Sequence, residues 1–227
     1  MYTSHSHMEQ QSLAASNDPG FRNFLKYRGN PVLSNGEDRI FRDPKVFPWK
    51  DGSYRMVCGV GKEGYAAVVL YRSQDLLHWD YVGPLFETRE MGPVLECPDL
   101  FPLEDKWVLC FSRMDEPRCV QFVLGGFDGE RFVPENLQAL GPTFYAPQSF
   151  VDHQGRRILL GWMAPWERPM DQDEVRRGCL TVPLEPFFDD AGQLCLFPVE
   201  EAQPYLTQED AHIRRGAWLF PVTDGGK

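Results

Sequence analysis

The 227 residues carry 42% hydrophobic and 25% charged side chains, a balance that excludes a disordered chain and allows a substantial buried core. Sixteen Phe, eight Tyr and six Trp beside 20 Gly and 19 Pro favour many short strands closed by turns and exclude a helix bundle. With 33 acidic against 23 basic residues the net charge is -10, and no basic stripe offers a local exception, so nucleic acid is not expected as a partner.

Residues 1 to about 40 read as the back half of a repeating unit. Ser12 to Ala15, the turn Ser16-Asn17-Asp18 and Phe24 to Tyr27 echo Val68 to Arg72, Ser73-Gln74-Asp75 and Trp79 to Val82 of the unit that follows. A four-residue frame, P-x-x-F, then opens three successive units: Pro44-Lys45-Val46-Phe47, Pro98-Asp99-Leu100-Phe101 and Pro147-Gln148-Ser149-Phe150. Each frame is followed by a polar turn (Lys50-Asp51-Gly52, Glu104-Asp105, His153-Gln154-Gly155) and an apolar, β-favouring run, Tyr54 to Val60, Trp107 to Phe111 or Ile158 to Met163. Third and fourth strands are expected at Ala66 to Tyr71 and Trp79 to Val82, at Cys119 to Leu124 and from Phe132, and at Cys179 to Val182 and Leu194 to Phe197. Units of about 50 residues with four strands each are the size of β-propeller blades. The expectation is an all-β propeller with three complete blades and a partial one, in a chain truncated at its N-terminus.

Cys58, Cys97, Cys110, Cys119, Cys179 and Cys195 never form C-x-x-C, and most lie in apolar runs, so they are expected as buried free thiols. Neither a signal-peptide pattern nor an apolar run of membrane-spanning length occurs, which makes the cytoplasm the expected compartment and a membrane no partner. No P-loop, G-x-G-x-x-G or H-E-x-x-H is present, and no cofactor or metal is expected. His5 and His7 lack a third ligand nearby; His78 and His153 fall in turns and His212 in a polar tail.

The first strand of a propeller blade lines the central channel, so residues around the three frames should converge. Asp43 stands one residue before the first frame and Glu96 two before the second. Paired carboxylates around a sugar-sized cavity are the machinery of glycoside hydrolysis, one passing a proton to the leaving oxygen and another stabilising or attacking the oxocarbenium-like centre. The plain alternative is two solvated acids at strand ends.

Phe41-Arg42-Asp43-Pro44-Lys45-Val46, Glu96-Cys97-Pro98-Asp99-Leu100-Phe101, Phe144-Tyr145-Ala146-Pro147-Gln148-Ser149-Phe150 and Arg156-Arg157-Ile158-Leu159-Leu160-Gly161-Trp162-Met163 together resemble glycoside hydrolase family 32, the invertases, sucrose-6-phosphate hydrolases and fructanases. The likeness runs from about Tyr2 to Leu206. It implies a five-bladed propeller, of which about three and a half blades are present, over residues 1–206. Residues 207–227 would be a tail, the remnant of a link to an absent β-sandwich. It also implies retaining hydrolysis of sucrose or a short fructo-oligosaccharide, with Glu96 as acid/base, Asp43 as transition-state stabiliser, and Arg42, Trp162 and Tyr145 at the sugar.

Three departures accompany the likeness. The family's nucleophile is the Asp of W-M-N-D-P-N-G, well before R-D-P, and this chain has no counterpart. Asn17-Asp18-Pro19-Gly20 imitates it, but the repeat alignment puts Asp18 in an outer turn. The family's D-x-G-x-D is replaced by Ala139-Leu140-Gly141-Pro142-Thr143, and P-R-E-L by Pro183-Leu184-Glu185-Pro186. An inactive or degenerate propeller that binds sugar without turnover is therefore the competing expectation. A relative acting on arabinans is the third, and it leaves E-C-P-D-L-F unexplained.

Overall fold

The structure is a computed structural model that describes residues 1–5, 8–34, 40–62, 64–141, 143–163, 166, 178–205, 212–214 and 217–219. It opens with five short strands, β1 (Tyr2–His5), β2 (Glu9–Ser12), β3 (Ala14–Ala15), β4 (Leu25–Lys26) and β5 (Leu33–Ser34). Three of them form an antiparallel sheet in the order β1-β2-β5, while β3 and β4 pair as a small ribbon. A first four-stranded meander follows, β6 (Ile40–Pro48), β7 (Tyr54–Lys62), β8 (Tyr65–Ser73) and β9 (Asp80–Thr88). The second is β10 (Leu95–Leu103), β11 (Lys106–Arg113), β12 (Cys119–Phe127) and β13 (Phe132–Leu140).

The third sheet holds β14 (Phe144–Val151), β15 (Arg157–Met163), β16 (Cys179–Leu180), β17 (Leu184–Phe188) and β18 (Leu194–Pro198). A 3-10 helix at Glu200–Tyr205 and a hairpin of β19 (His212–Arg214) and β20 (Ala217–Leu219) complete the described chain. Among the described residues no helix is long and apolar enough to cross a membrane.

The apolar runs of the sequence are the middle strands of blades, buried on both faces. Along β7, Met56, Cys58 and Val60 enter one core cluster with Phe41 and Tyr71, whereas Val57 enters another with Leu95, Leu109 and Phe111. Along β11, Leu109 and Phe111 face that same cluster, and Val108 and Cys110 face a third with Phe144 and Leu159. Period-two side chains thus fill the wedge between each pair of neighbouring sheets, the packing of a propeller. At ~25 cal/mol per Å² of apolar surface removed from water, these wedges are the dominant stabilising contribution.

Turn chemistry closes the strands where expected. Asp51, Asp128, Asp152 and Asp189 each accept backbone N–H groups two to four residues further on, and Gly52, Gly129, Gly155 and Gly192 supply the positive φ.

Two expectations are corrected. The third strand of the last blade is not one run at Cys179 to Val182. It is split into β16, which pairs with Trp162 and Met163, and β17, which meets β15 at Leu159↔Leu184. Pro183 sits at the break, without an N–H to give to a ladder. The six cysteines are free, but only Cys58, Cys110 and Cys119 are buried; Cys97 and Cys195 are half-buried and Cys179 is exposed. Pro142 and His7, both singled out in the sequence, lie outside the described residues.

Candidate active site

The three P-x-x-F frames lie on β6, β10 and β14, the first strands of the three blades, and each carries a β-bulge at the same place. Register runs from Arg42↔Gly59 to Lys45↔Val57, from Glu96↔Ser112 to Asp99↔Cys110, and from Tyr145↔Trp162 to Gln148↔Leu160. Three steps on the inner strand therefore match two on its neighbour. The extra residue brings the side chains two before and one after each proline onto one face, where alternation would have separated them.

The residue just before each proline takes up the bulge in the left-handed region, with φ 60 at Asp43, 49 at Cys97 and 48 at Ala146. Its amide turns to a side-chain oxygen of the preceding sheet. Asp43 N–H donates to Thr3 Oγ1 at 2.9 Å, Cys97 N–H to Asp43 Oδ2 at 2.8 Å and Ala146 N–H to Ser112 Oγ at 2.8 Å. Backbone strain of ~1–3 kcal/mol per residue is tolerated only where such contacts over-determine the conformation.

Two layers of side chains result. In the first, Arg42 Nη1 donates to Glu96 Oε1 at 2.9 Å and the Tyr145 hydroxyl donates to Glu96 Oε2 at 2.7 Å. In the second, Lys45 Nζ lies 3.1 Å from Asp99 Oδ2 and donates to Ser149 O at 2.6 Å, and Asp99 Oδ2 also accepts Ser149 N–H at 2.7 Å. Asp99 is 1% exposed, so this second layer ties the three inner strands together beneath the first.

The residues singled out from the sequence thus gather at one place. Asp43 is joined to the peptide that follows Glu96, while Arg42 and Tyr145 hold one oxygen each of the Glu96 carboxylate. Trp162 faces Tyr145 across the β14/β15 pair. The ring of Trp166 bridges the two, 5.0 Å from Tyr145 and 5.1 Å from Trp162, both edge-on, with the Arg118 guanidinium 4.2 Å over its face. Decoy Asp18 behaves as a turn residue between β3 and β4, its carboxylate accepting Gly20 N–H at 2.9 Å and Arg22 N–H at 3.1 Å. His5 is exposed and 3.8 Å from Glu9, and exposed His78 pairs with Asp75.

Sequence reasoning passed over Thr3, Glu9, Trp166 and the Lys45–Asp99 pair. Glu9 is the most consequential. It accepts Arg42 Nε at 3.1 Å on Oε2 and Arg42 Nη2 on Oε1, and Oε2 also takes Phe41 N–H at 2.7 Å. Only the repeat of the frame offset could have pointed to Lys45 and Asp99, each one residue after its proline. Trp166 was within reach too, four residues beyond Trp162 in the same run.

The charges follow from these contacts. Burial pushes the Glu9 carboxyl up, but the hydrogen bonds from Arg42 and from Phe41 N–H outweigh it and leave its pKa below the ordinary glutamate range. The bond to Glu9 raises Arg42 further, against a smaller opposing effect of burial. Burial first, and the hydrogen bond to the Glu96 carboxylate second, push the Tyr145 phenol up, so it stays a neutral donor. Burial and the charges of Asp43 and Glu96 push the Cys97 thiol up as well; it remains protonated and is no nucleophile.

Because the folded-state pKa of Glu9 is depressed, its contribution to stability is complete above the unfolded value of about 4.3. It is lost as pH falls through the lower folded value. Melting temperature recorded between pH 7 and pH 3 is expected to fall on the acid side, and less steeply in Glu9→Gln; identical slopes would show that Glu9 is not among the responsible groups.

Asp43 accepts the Cys97 amide on one carboxylate oxygen, and substitution tests what that contact is worth. Asp43→Asn keeps an oxygen for Cys97 N–H, so it should melt within a few degrees of the unmodified chain. Asp43→Ala strands that amide and should cost a further ~1–3 kcal/mol. Equal stability of the two variants in a denaturant titration would show that this contact does not stabilise the fold.

The N-terminal domain of glycosyl hydrolases family 32 is matched by residues 1–198. Levanase of Bacillus subtilis (strain 168) is 33% identical over 219 residues, covering 85% of this chain and 32% of that protein. A fructan 1-exohydrolase of Triticum urartu is 33% identical over 230 residues, covering 86% of this chain and 38% of that one. Among solved structures, a Bombyx mori β-fructofuranosidase superposes with a TM-score of 0.78 at 30% identity over 93% of this chain and 50% of its own. A mutant of it was solved in complex with sucrose. The fructan 1-exohydrolase IIa of Cichorium intybus, solved with 1-kestose in variant form, superposes with a TM-score of 0.75 at 26% identity over 91% of this chain and 45% of its own. The chain spans about a third of the length of these curated relatives and about half of the solved ones. With the bulged inner strands, the four motifs and these likenesses in agreement, the chain belongs to glycosyl hydrolase family 32.

Proposed function

We propose that the chain is the acid/base-bearing part of a β-fructofuranosidase-type glycoside hydrolase acting on sucrose or short fructans by a retaining double displacement. Residues 1–206 constitute a partial propeller and residues 207–227 a tail. Glu96 is the acid/base, Asp43 stabilises the charge that develops on the fructosyl ring, Arg42 and Tyr145 hold Glu96, and Trp162 offers a ring face to the sugar. The observation that carries this reading is the joining of the two carboxylates through one peptide, Cys97 N–H bonding Asp43 Oδ2 at 2.8 Å immediately beside Glu96. Two surface acids at strand ends would have no reason to meet.

In the first half-reaction a protonated Glu96 gives its proton to the glycosidic oxygen as the bond to the fructosyl carbon breaks. A nucleophilic carboxylate on the opposite side, about 5 Å from the acid/base in retaining enzymes, forms the covalent intermediate. In the second half-reaction Glu96 takes a proton from a water whose oxygen bonds to the fructosyl carbon as the bond to the nucleophilic carboxylate breaks, which releases fructose and restores both groups. This sequence has no counterpart to the family's nucleophile motif, and Ala139 and Thr143 replace its two pocket acids. That favours, as the second reading, binding without turnover by this polypeptide.

Calorimetric titration of the intact chain with fructose and with sucrose is the direct test. Saturation at one site, weakened in Trp162→Ala and Asp43→Asn, is expected. Absence of saturation in a folded chain would overturn the sugar pocket.

A further inference from the structure

The N-terminal sheet contributes a carboxylate that neither the acid/base nor the stabilising role uses. Glu9 stands on β2, its side chain 12% exposed, and grips the Nε/Nη2 edge of Arg42 with both oxygens. A guanidinium is planar, and a two-point contact along one edge fixes both its plane and its rotation, which a lysine ammonium would leave free. Once that edge is taken, Nη1 is the nitrogen left on the far side, and it lies 2.9 Å from Glu96 Oε1. Two carboxylates from different sheets therefore share one cation, and the one outside the pocket sets the cation's direction.

We propose that Glu9 is a positioning residue that acts on Glu96 through Arg42, holding the guanidinium so that Nη1 fixes one oxygen of the acid/base carboxylate and Tyr145 fixes the other. This rests on reading Glu96 as the working acid of a fructosyl pocket. The bland alternative is that Glu9 only fastens β2 to β6 by accepting Phe41 N–H at 2.7 Å. The two differ on substitution: a glutamine oxygen can still accept Phe41 N–H, but a neutral amide cannot grip both Nε and Nη2 of Arg42.

The test uses the full chain labelled with nitrogen-15 and with carbon-13 at glutamate carboxyls. The Arg42 Nε–H signal is identified by its loss in Arg42→Lys, and the Glu96 carboxyl signal by its loss in Glu96→Gln. In Glu9→Gln, exchange of Arg42 Nε–H with water is expected to quicken at least tenfold, and the Glu96 carboxyl signal to move toward its position in Arg42→Lys. Fructose affinity is expected to fall at least tenfold, with part of it recovered in Glu9→Asp. A Glu96 signal unmoved in folded Glu9→Gln overturns the proposal, as does equal behaviour of Glu9→Gln and Glu9→Asp. Should Glu9→Gln fail to fold, Glu9→Asp decides alone, an intermediate shift supporting the proposal and an unmoved signal overturning it. Failure of the unmodified chain to bind fructose counts against the sugar pocket only, because both resonance measurements read Glu9 without sugar.

Discussion

Replacing Glu96 with Gln is expected to lower fructose release from sucrose by about a hundred- to ten-thousand-fold, the span associated with loss of a positioned general acid/base. The exchange leaves size and shape nearly unchanged. An amide oxygen still accepts from Tyr145 or Arg42, and Arg42 keeps Glu9 as its counter-charge, so the fold should survive. On the proposed mechanism, what disappears is the proton that the leaving oxygen needs and the base that later activates water. Because the sequence carries no counterpart to the W-M-N-D-P-N-G motif, the 227-residue polypeptide by itself is expected to give only background release. The measurement is therefore made on two polypeptides, this chain alone and this chain joined behind the corresponding first-blade segment of a relative such as the levanase. Release is expected from the joined form, lost again with Glu96→Gln. Robust release by the chain alone would refute the missing nucleophile, and a joined form indifferent to Glu96→Gln would remove Glu96 from the acid/base role.

How far the sequence reaches is visible at the same residues. The P-x-x-F frames locate β6, β10 and β14, and the turns after them locate the partner strands, because polar turns and doubly buried apolar runs are local signals. The offset of Asp43 and Glu96 from their prolines is legible too, but not its meaning. The bulge supplies that meaning: Arg42, Glu96 and Tyr145, each two before its proline, share a face with the residue after the proline, while Asp43, Cys97 and Ala146 take up the left-handed backbone. Glu9 and Thr3 were out of reach because their partners lie 33 and 40 residues away on another sheet, a pairing that no periodicity encodes. Burial within the frame is no better signalled. Phe101 is 1% exposed between two sheets, whereas Phe150, at the same place in its frame, is 49% exposed. The identical residue is packed between two sheets in one case and half-exposed in the other.

The largest expected effect on stability comes from a residue with no side chain. Gly59 pairs with Arg42 and lies two residues from Gly61, so both open onto the face of β7 that meets the second blade. A Cβ at Gly59 would stand 2.1 Å from the Leu95 carbonyl oxygen, and one at Gly61 would stand 2.0 Å from the Pro93 carbonyl oxygen. The obstacle is backbone, which cannot swing aside like the tip of a long side chain. Gly59→Ala must therefore push the Leu95 backbone away, and Leu95 directly precedes Glu96. Overpacking ordinarily costs ~1–3 kcal/mol, and a rigid backbone obstacle puts this substitution at or above the upper end. A loss of about 3 kcal/mol corresponds to roughly 6–12 °C in melting temperature for a chain of this length. Glu96 should be displaced with its strand, so fructose affinity is expected to fall along with stability. Gly126→Ala is the control. Gly126 is an exposed glycine in β12 where an added Cβ would meet nothing within 4 Å, so removing glycine's backbone freedom there should leave stability unchanged or raise it by ~0.5–1 kcal/mol. If Gly59→Ala melted beside Gly126→Ala and bound fructose unchanged, the close crossing of β7 by the strand that carries Glu96 would be wrong, and with it the position assigned to the acid.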